Sequence, residues 1–354
     1  MPGCARGTNQ VWITGPSVAA KRFRRMARQA FALIGLLGLC GGCLIGHELA
    51  RFRLQQGEKA LSAQQLDAAL AEFRRAVQLD PQWAEGHYKL GMAYKQKGEL
   101  ELAADSLQQA VRLDPASLRS IVELGEVYRL LEKMTQAIRA YLMACELDPR
   151  NFELRFRLAT CYHQNGELDQ AIEQYRAAIK LDPRSAYARS NLGAALAAQG
   201  KDYEAIKAYK ESLECDAAQP IVLVNLATVY LNQERWETAH RTLKVALQLD
   251  PNLSVAHERL GYTLWREQAY DAAAESYRRA IELDSRNAAA YAGYGVVLMT
   301  QYLEHPEKVT LRDEAVEAWH RSLEIKPDQP KLRELLEKYR PRYQKPALSL
   351  DENG

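Results

Sequence analysis

The sequence predicts an all-α solenoid of about eight helix-turn-helix units, preceded by an apolar N-terminal segment and closed by a C-terminal capping helix. Three observations predict it. The tripeptide Leu-Asp-Pro ends at Pro81, Pro115, Pro149, Pro183 and Pro251, so each interval is 34 residues or twice that. Apolar residues inside a unit recur at helical spacing, as in Tyr88, Leu90 and Tyr94, then Leu102, Ala103, Leu107, Ala110 and Val111. Two columns of small residues run through every unit: Gly57, Gly91, Gly125, Ala159, Gly193, Ala227, Gly261 and Gly295, and Ala69, Ala103, Ala137, Ala171, Ala205, Ala239, Ala273 and Ala315.

Each unit then reads as two antiparallel helices. Gly98-Glu99 breaks between them. Asp114-Pro115 stops the second, because proline lacks the helical donor and pushes its predecessor out of the α region. A bulky column, Phe73, Leu107, Tyr141, Tyr175, Tyr209, Leu243, Tyr277 and Trp319, fills the space that the small residues leave. One such hairpin cannot bury its apolar face alone, so neighbours must stack into a continuous core. Ala217 and Ser285 stand where the stop proline is expected, which predicts longer helices there. The last unit carries an insertion at 301–313, where Pro306 should separate two lengthened helices by a protruding loop.

These columns resemble the tetratricopeptide repeat family over residues 50–327. The resemblance implies a right-handed superhelix whose inner wall is built by the first helix of each unit. It also implies that the wall binds a protein or peptide partner. After Pro327, residues 328–341 contain Leu332, Leu335 and Leu336 on one edge, which suits a capping helix; 342–354 reads as a flexible tail.

No catalytic or metal constellation emerges. The seven histidines form no HxxxH or HxH pair, no P-loop lysine or Gly-x-Ser-x-Gly occurs, and no second CxxC completes a zinc site. No cofactor, metal or enzymatic activity is expected; the alternative of a different class is the regulatory subunit of an enzyme. Cys145, Cys161 and Cys215 occupy different repeat positions and read as small buried residues. The net charge is +2, but Arg6, Lys21, Arg22, Arg24, Arg25 and Arg28 face only Glu48 within the first 49 residues. The remaining body is slightly acidic, which argues against nucleic acid.

Surfaces must carry the function. One first-helix column holds Lys89, Arg157, Asn191, Asn225 and Arg259, and a second holds Lys95, Arg129, His163 and Trp265. Amides at Asn191 and Asn225 offer a donor and an acceptor to an extended peptide backbone. This is similar to a short asparagine ladder like that of the O-linked N-acetylglucosamine transferases, whose catalytic domain is absent here. Lys89, Lys95, Arg129 and Arg157 predict a basic stretch suited to an acidic peptide or a terminal carboxylate. The carboxylate clamp of chaperone-binding members is matched only at Asn225 and Arg259; Ser190 and Ala194 replace the lysine and asparagine it needs.

Residues 30–49 read as a membrane segment after a basic stretch, 1–29. The run 30–46 is free of charge and as a helix spans about 25 Å, against about 30 Å of hydrocarbon, with Arg28 and His47 able to reach the interfaces. The flanking cations place the N terminus in the cytoplasm and the solenoid on the other side, as a single-pass protein. Gly38, Gly42 and Gly46 make a small-residue face that suits a homodimer of such helices. Two alternatives stay open. Translation from Met26 gives a lipoprotein signal with Cys43 as the lipidated residue, and the acid-free, arginine-bearing start also suits a transit peptide.

Overall fold

The computed structural model describes residues 45–339, and it divides at Asp148/Pro149 into two compact units. Among the described residues there are helices and turns and no strand. The first unit holds α1 (45–62), α2 (Leu66–Leu79), α3 (Ala84–Lys97), α4 (Leu100–Leu113), α5 (Leu118–Leu130) and α6 (Met134–Leu147). The second holds α7 (Phe152–Gln164), α8 (Leu168–Leu181), α9 (Ala186–Ala198), α10 (Asp202–Cys215), α11 (Pro220–Asn232) and α12 (Trp236–Leu249). It continues through α13 (Ser254–Arg266), α14 (Tyr270–Leu283), α15 (Ala288–Glu304), α16 (Val309–Ile325) and α17 (Pro330–Tyr339). Within each unit the helices pack as consecutive antiparallel pairs.

The small and bulky columns meet inside each pair. A Cβ built on Gly57 would lie 2.5 Å from the Phe73 ring, one on Gly91 2.7 Å from Leu107, and one on Gly193 or Gly261 2.8 Å from Tyr209 or Tyr277. Any side chain there drives the first helix off the second. The alanine column is fully buried in both units, and so are Phe73, Leu107 and Tyr141 in the first and Tyr175, Leu243 and Trp319 in the second. Each such large side chain contributes about 1.5–3 kcal/mol by leaving water.

The helix ends follow a rule the prolines hide. Second helices end at Leu79, Leu113, Leu147, Leu181, Cys215, Leu249 and Leu283, so α10 and α14 stop in register although Ala217 and Ser285 replace proline. The aspartate before that position does the work. Asp80, Asp114, Asp182, Asp216, Asp250 and Asp284 each accept, through Oδ1, the backbone N–H two residues on, at 2.9–3.2 Å. This Asx turn offers the chain an alternative to another helical turn, with or without proline. Turns within the pairs use a left-handed residue in the same register: Gly98, Gly166 and Gly200, but also Gln64, Glu132, Glu234 and Gln268.

The insertion in the last pair lengthens α15 and α16 to 17 residues each and leaves an exposed connection, 305–308, between them. One further expectation is corrected. Cys145 and Cys161 are buried, but Cys215, the last residue of α10, is exposed. Residues 45–49 lie in α1, in one helix with 50–62. Gly46 lets α1 approach the Leu79 carbonyl, and His47 Nδ1 bonds Asp80 Oδ2 at 2.6 Å. Gly46 therefore serves a contact within the first unit. Among the described residues no helix is long and apolar enough to cross a membrane. Most of the apolar segment, with Gly38, Gly42 and Cys43, lies outside the described residues, as do 1–29 and 340–354.

At the end of the second unit, α17 begins as a first helix does. Gln329 Nε2 donates to the Ser322 and Lys326 carbonyls at 3.2 and 2.7 Å, and Pro330 opens the helix. Gln219 and Pro220 do the same before α11, with Ser212 and Asp216. Leu332 and Leu336 then cover Leu298, Met299 and Trp319.

Candidate binding face

The first helix of each pair carries the predicted residues, and the two units treat them differently. In the first unit, Lys89 Nζ lies 2.7 Å from Glu58, Lys95 Nζ 2.6 Å from Glu123, and Arg129 forks onto Glu126 at 2.7 and 2.9 Å. Arg119, in the first turn of α5, pairs with Glu85 and lies over the Tyr88 ring at 4.6 Å. Burial and the Glu123 carboxylate hold the Tyr88 phenol above its ordinary pKa. The basic stretch read from sequence is thus matched carboxylate by carboxylate. A shallow cleft of about 490 Å³ lies over this ladder, with Leu61, Tyr88 and Met92 under a rim of Lys89 and Lys95.

In the second unit, Arg157 Nε pairs with Glu153 Oε1 at 2.6 Å, one turn away on its own helix. His163 is half-buried against the Tyr175 ring, and that burial lowers its pKa, so it is a neutral imidazole at pH 7 and adds no cation. Beyond these the face changes character. At the first-turn position the earlier pairs carry Arg51, Glu85, Arg119 and Glu153; the later ones carry Tyr187, Ile221, Val255 and Ala289. Tyr187 is 76% exposed and Ile221 51%. One turn on stand Asn191 and Asn225. Asn191 donates to the Tyr187 carbonyl of its own helix at 2.9 Å, which leaves its Oδ1 as an acceptor.

Arg259, next in that column, contacts Glu258 at 3.5 Å, and its Nε–H is buried with no acceptor. Glu258 occupies a column that is Val224 and Ala292 in the flanking pairs and is only 7% exposed. Burial raises its pKa, and Arg259 opposes the rise. The Tyr277 phenol is pushed up by its own burial and then by Glu258. Its ring occupies the space a side chain at Gly293 would need. Tyr262 and Trp265 complete the face on α13, with ring centroids 6.0 Å apart. Trp236 meets Tyr262 edge-on and carries Arg266 at 4.3 Å on its ring.

Of the eight predicted contact residues, Lys89, Lys95 and Arg129 belong to the first unit. Arg157, His163, Asn191, Asn225 and Arg259 belong to the second. Within the second unit α9, α11 and α13 are neighbours, so Asn191, Asn225 and Arg259 stand on successive helices of one layer. Sequence reading overlooked Tyr187, Ile221, Glu258 and Tyr262. The 34-residue register carried the signal for two changes: the Tyr187 and Ile221 column turns from charged to apolar, and Glu258 is the one charged member of its own.

Comparison with known proteins supports this architecture. The chain matches the family described as the Cilia and flagella-associated protein 70 C-terminal domain over residues 116–293, about half its length. Tetratricopeptide-repeat families match residues 57–98 and 84–117. No curated protein matches the chain by sequence. Among solved structures, a tetratricopeptide repeat protein from Parabacteroides merdae is 17% identical with a TM-score of 0.59, covering 72% of this chain and 98% of that one. Pseudomonas aeruginosa pilF is 23% identical with a TM-score of 0.53, over 64% and 98%. The APC/C hetero-tetramer Cut9–Hcn1 is 21% identical with a TM-score of 0.55, over 77% of this chain; the chain spans about half (52%) of that structure's length. At these identities the likeness is one of fold. With the periodic columns, the packed glycine–aromatic pairs and the matched families together, the chain belongs to the tetratricopeptide repeat family.

Proposed function

We propose that the chain is a non-enzymatic scaffold that holds an extended segment of a partner protein on the first-helix face of its second unit. The observation that carries this reading is the layer of α9, α11 and α13. There exposed Tyr187 and Ile221 adjoin amides at Asn191 and Asn225 and the partly exposed Arg259 guanidinium. Apolar side chains of a partner gain by covering the first pair, while its backbone offers donors and acceptors to the amides and the guanidinium. The first unit, whose cations already hold carboxylates, has less to offer an acidic peptide, because a newcomer must displace an existing partner.

The scaffold works at a membrane surface, in assembly or biogenesis of a membrane or envelope complex. The charge-free run 30–46 after a basic stretch supports a tether, either as a single span with the solenoid on the non-cytoplasmic side or through lipidated Cys43. The mass of the mature N terminus distinguishes them: an intact start at residue 1 or 26 fits the span, and a diacylated Cys43 as first residue fits the lipoprotein. For the binding face, Asn191→Ala with Asn225→Ala should weaken partner capture from native membranes while helical circular dichroism stays unchanged. Equal capture would remove both amides from the site.

A further inference from the structure

The opening helix carries an apolar edge with no neighbour in the first unit. Ile45, Leu49 and Phe52 follow at spacings of four and three, on one face of α1. They are 65%, 49% and 51% exposed. The repeat register says what such a face ordinarily does. Phe52 stands in the column of Gly86, Ser120, Leu154, Ala188, Val222, Ala256 and Ala290, all buried. Gly86, for one, lies against Val77 of the preceding helix α2. Among the described residues no helix precedes α1 to cover this column.

An open end is ordinarily made polar, and further along α1 it is. Lys59 is exposed where the other pairs bury Ala93, Val127, Cys161, Ala195, Val229, Thr263 and Val297. The edge therefore runs from charged at Lys59 to apolar at Ile45, with the exposed Glu48–Arg51 pair flanking it. This places the apolar end within two residues of Cys43 and within the charge-free run 30–46. A span ending at Gly46 and a lipid on Cys43 both put Ile45 at a bilayer surface.

The helix is also fixed at that end. Gly46 meets the Leu79 carbonyl, the His47–Asp80 bond ties α1 to the end of α2, and the His47 ring stands edge-on to Trp83 at 5.1 Å. Leu79 and Trp83 thus lie beside Gly46 and His47, the two residues after Ile45, and Trp83 also packs against the core of the first unit. Aromatic rings of this kind favour the headgroup level.

We propose that Ile45, Leu49 and Phe52, with Leu79 and Trp83 behind them, form a collar that enters the interfacial layer of a lipid bilayer and holds the first unit against the membrane. This rests on the tether reading above. Ile45 to Phe52 is about 10 Å along a helix, which matches the 5–10 Å to which interfacial helices bury their apolar faces, and Lys59 stands about 10 Å further into water.

The test places p-benzoylphenylalanine at Phe52, or at Lys59, in the full chain reconstituted into vesicles of phosphatidylcholine and phosphatidylglycerol. After irradiation, adducts are read by mass. The collar predicts lipid adducts at Phe52 about tenfold above those at Lys59. Vesicle-bound protein with no excess at Phe52 overturns the collar and leaves the tether standing. An adduct joining Phe52 to a second copy of the chain also overturns it and assigns the edge to chain–chain contact. Protein that stays in the aqueous fraction removes tether and collar together.

Discussion

The two units share one register and one core recipe, yet their first helices present different chemistry. In the first unit the face is a lattice of matched charges: Lys89 with Glu58, Lys95 with Glu123, Arg129 with Glu126. In the second, from α9 onward, charge gives way to Tyr187, Ile221, two asparagines and an arginine whose Nε–H has no acceptor. The core obeys the period because every pair must solve the same packing problem. The face is free to vary, and our proposal is that a partner uses it where it departs from matched charge. Paired surface charges contribute little to stability, about 0–1 kcal/mol each, so their presence reflects solubility more than recognition.

The comparison is broken first at its common element. Trp319→Ala in the second unit and Phe73→Ala in the first should each cost about 3–5 kcal/mol, read as earlier urea unfolding. A loss confined to one unit would show that the two cores are not equivalent. Next in size is the difference itself. Ile221→Asp with Tyr187→Ser should weaken partner binding at least about tenfold, near 1.4 kcal/mol, whereas Lys89→Ala with Lys95→Ala should leave it nearly unchanged. Titration calorimetry with a captured partner decides between them.

The third prediction concerns the buried carboxyl of the second unit. Burial raises the Glu258 pKa above its ordinary 4.5, so the folded state binds its proton more tightly than the unfolded state does. Its contribution is fully present below pH 4.5 and is lost as pH rises through the raised folded value. Glu258→Gln should therefore flatten that decline and leave the variant more stable than the parent at neutral pH, as thermal melts across pH will show. A parallel decline in both proteins would locate the titration elsewhere.

The smallest effects belong to the turns. Glu132 in the first unit and Gln268 in the second adopt left-handed backbone where Gly98, Gly166 and Gly200 stand in the other pairs. Glu132→Gly and Gln268→Gly should each stabilise by about 0.5–1 kcal/mol, and Gly98→Ala should destabilise by about as much. Equal midpoints in denaturant would mean the turn strain is relieved by neighbouring residues.

Much of the fold was legible because packing repeats. Gly57 facing Phe73 and Gly261 facing Tyr277 follow from columns visible in the chain. The helix stops were misread because proline is conspicuous, while the aspartates that accept at 2.9–3.2 Å look like ordinary surface acids. The insertion at 301–313 reads as two lengthened helices parted at Pro306, and α15 and α16 each run to 17 residues, about a turn more than the other paired helices.

The candidate face was less legible. Lys89 and Lys95 read as part of a basic stretch, and their pairing was hidden because Glu58 and Glu123 lie on neighbouring helices 31 and 28 residues away. His163 read as an inner-wall contact residue, and its burial against Tyr175 was hidden because that ring comes from the partner helix. Glu258 went unnoticed because a carboxyl on a helix is usually solvated, and only its column betrays burial.

The most direct test of the central claim is photo-crosslinking in the native cell with p-benzoylphenylalanine placed at Ile221 or at Lys89. The account predicts that Ile221 yields a discrete adduct to another polypeptide and that Lys89 yields none. The reverse pattern would move the binding face to the first unit and contradict the account.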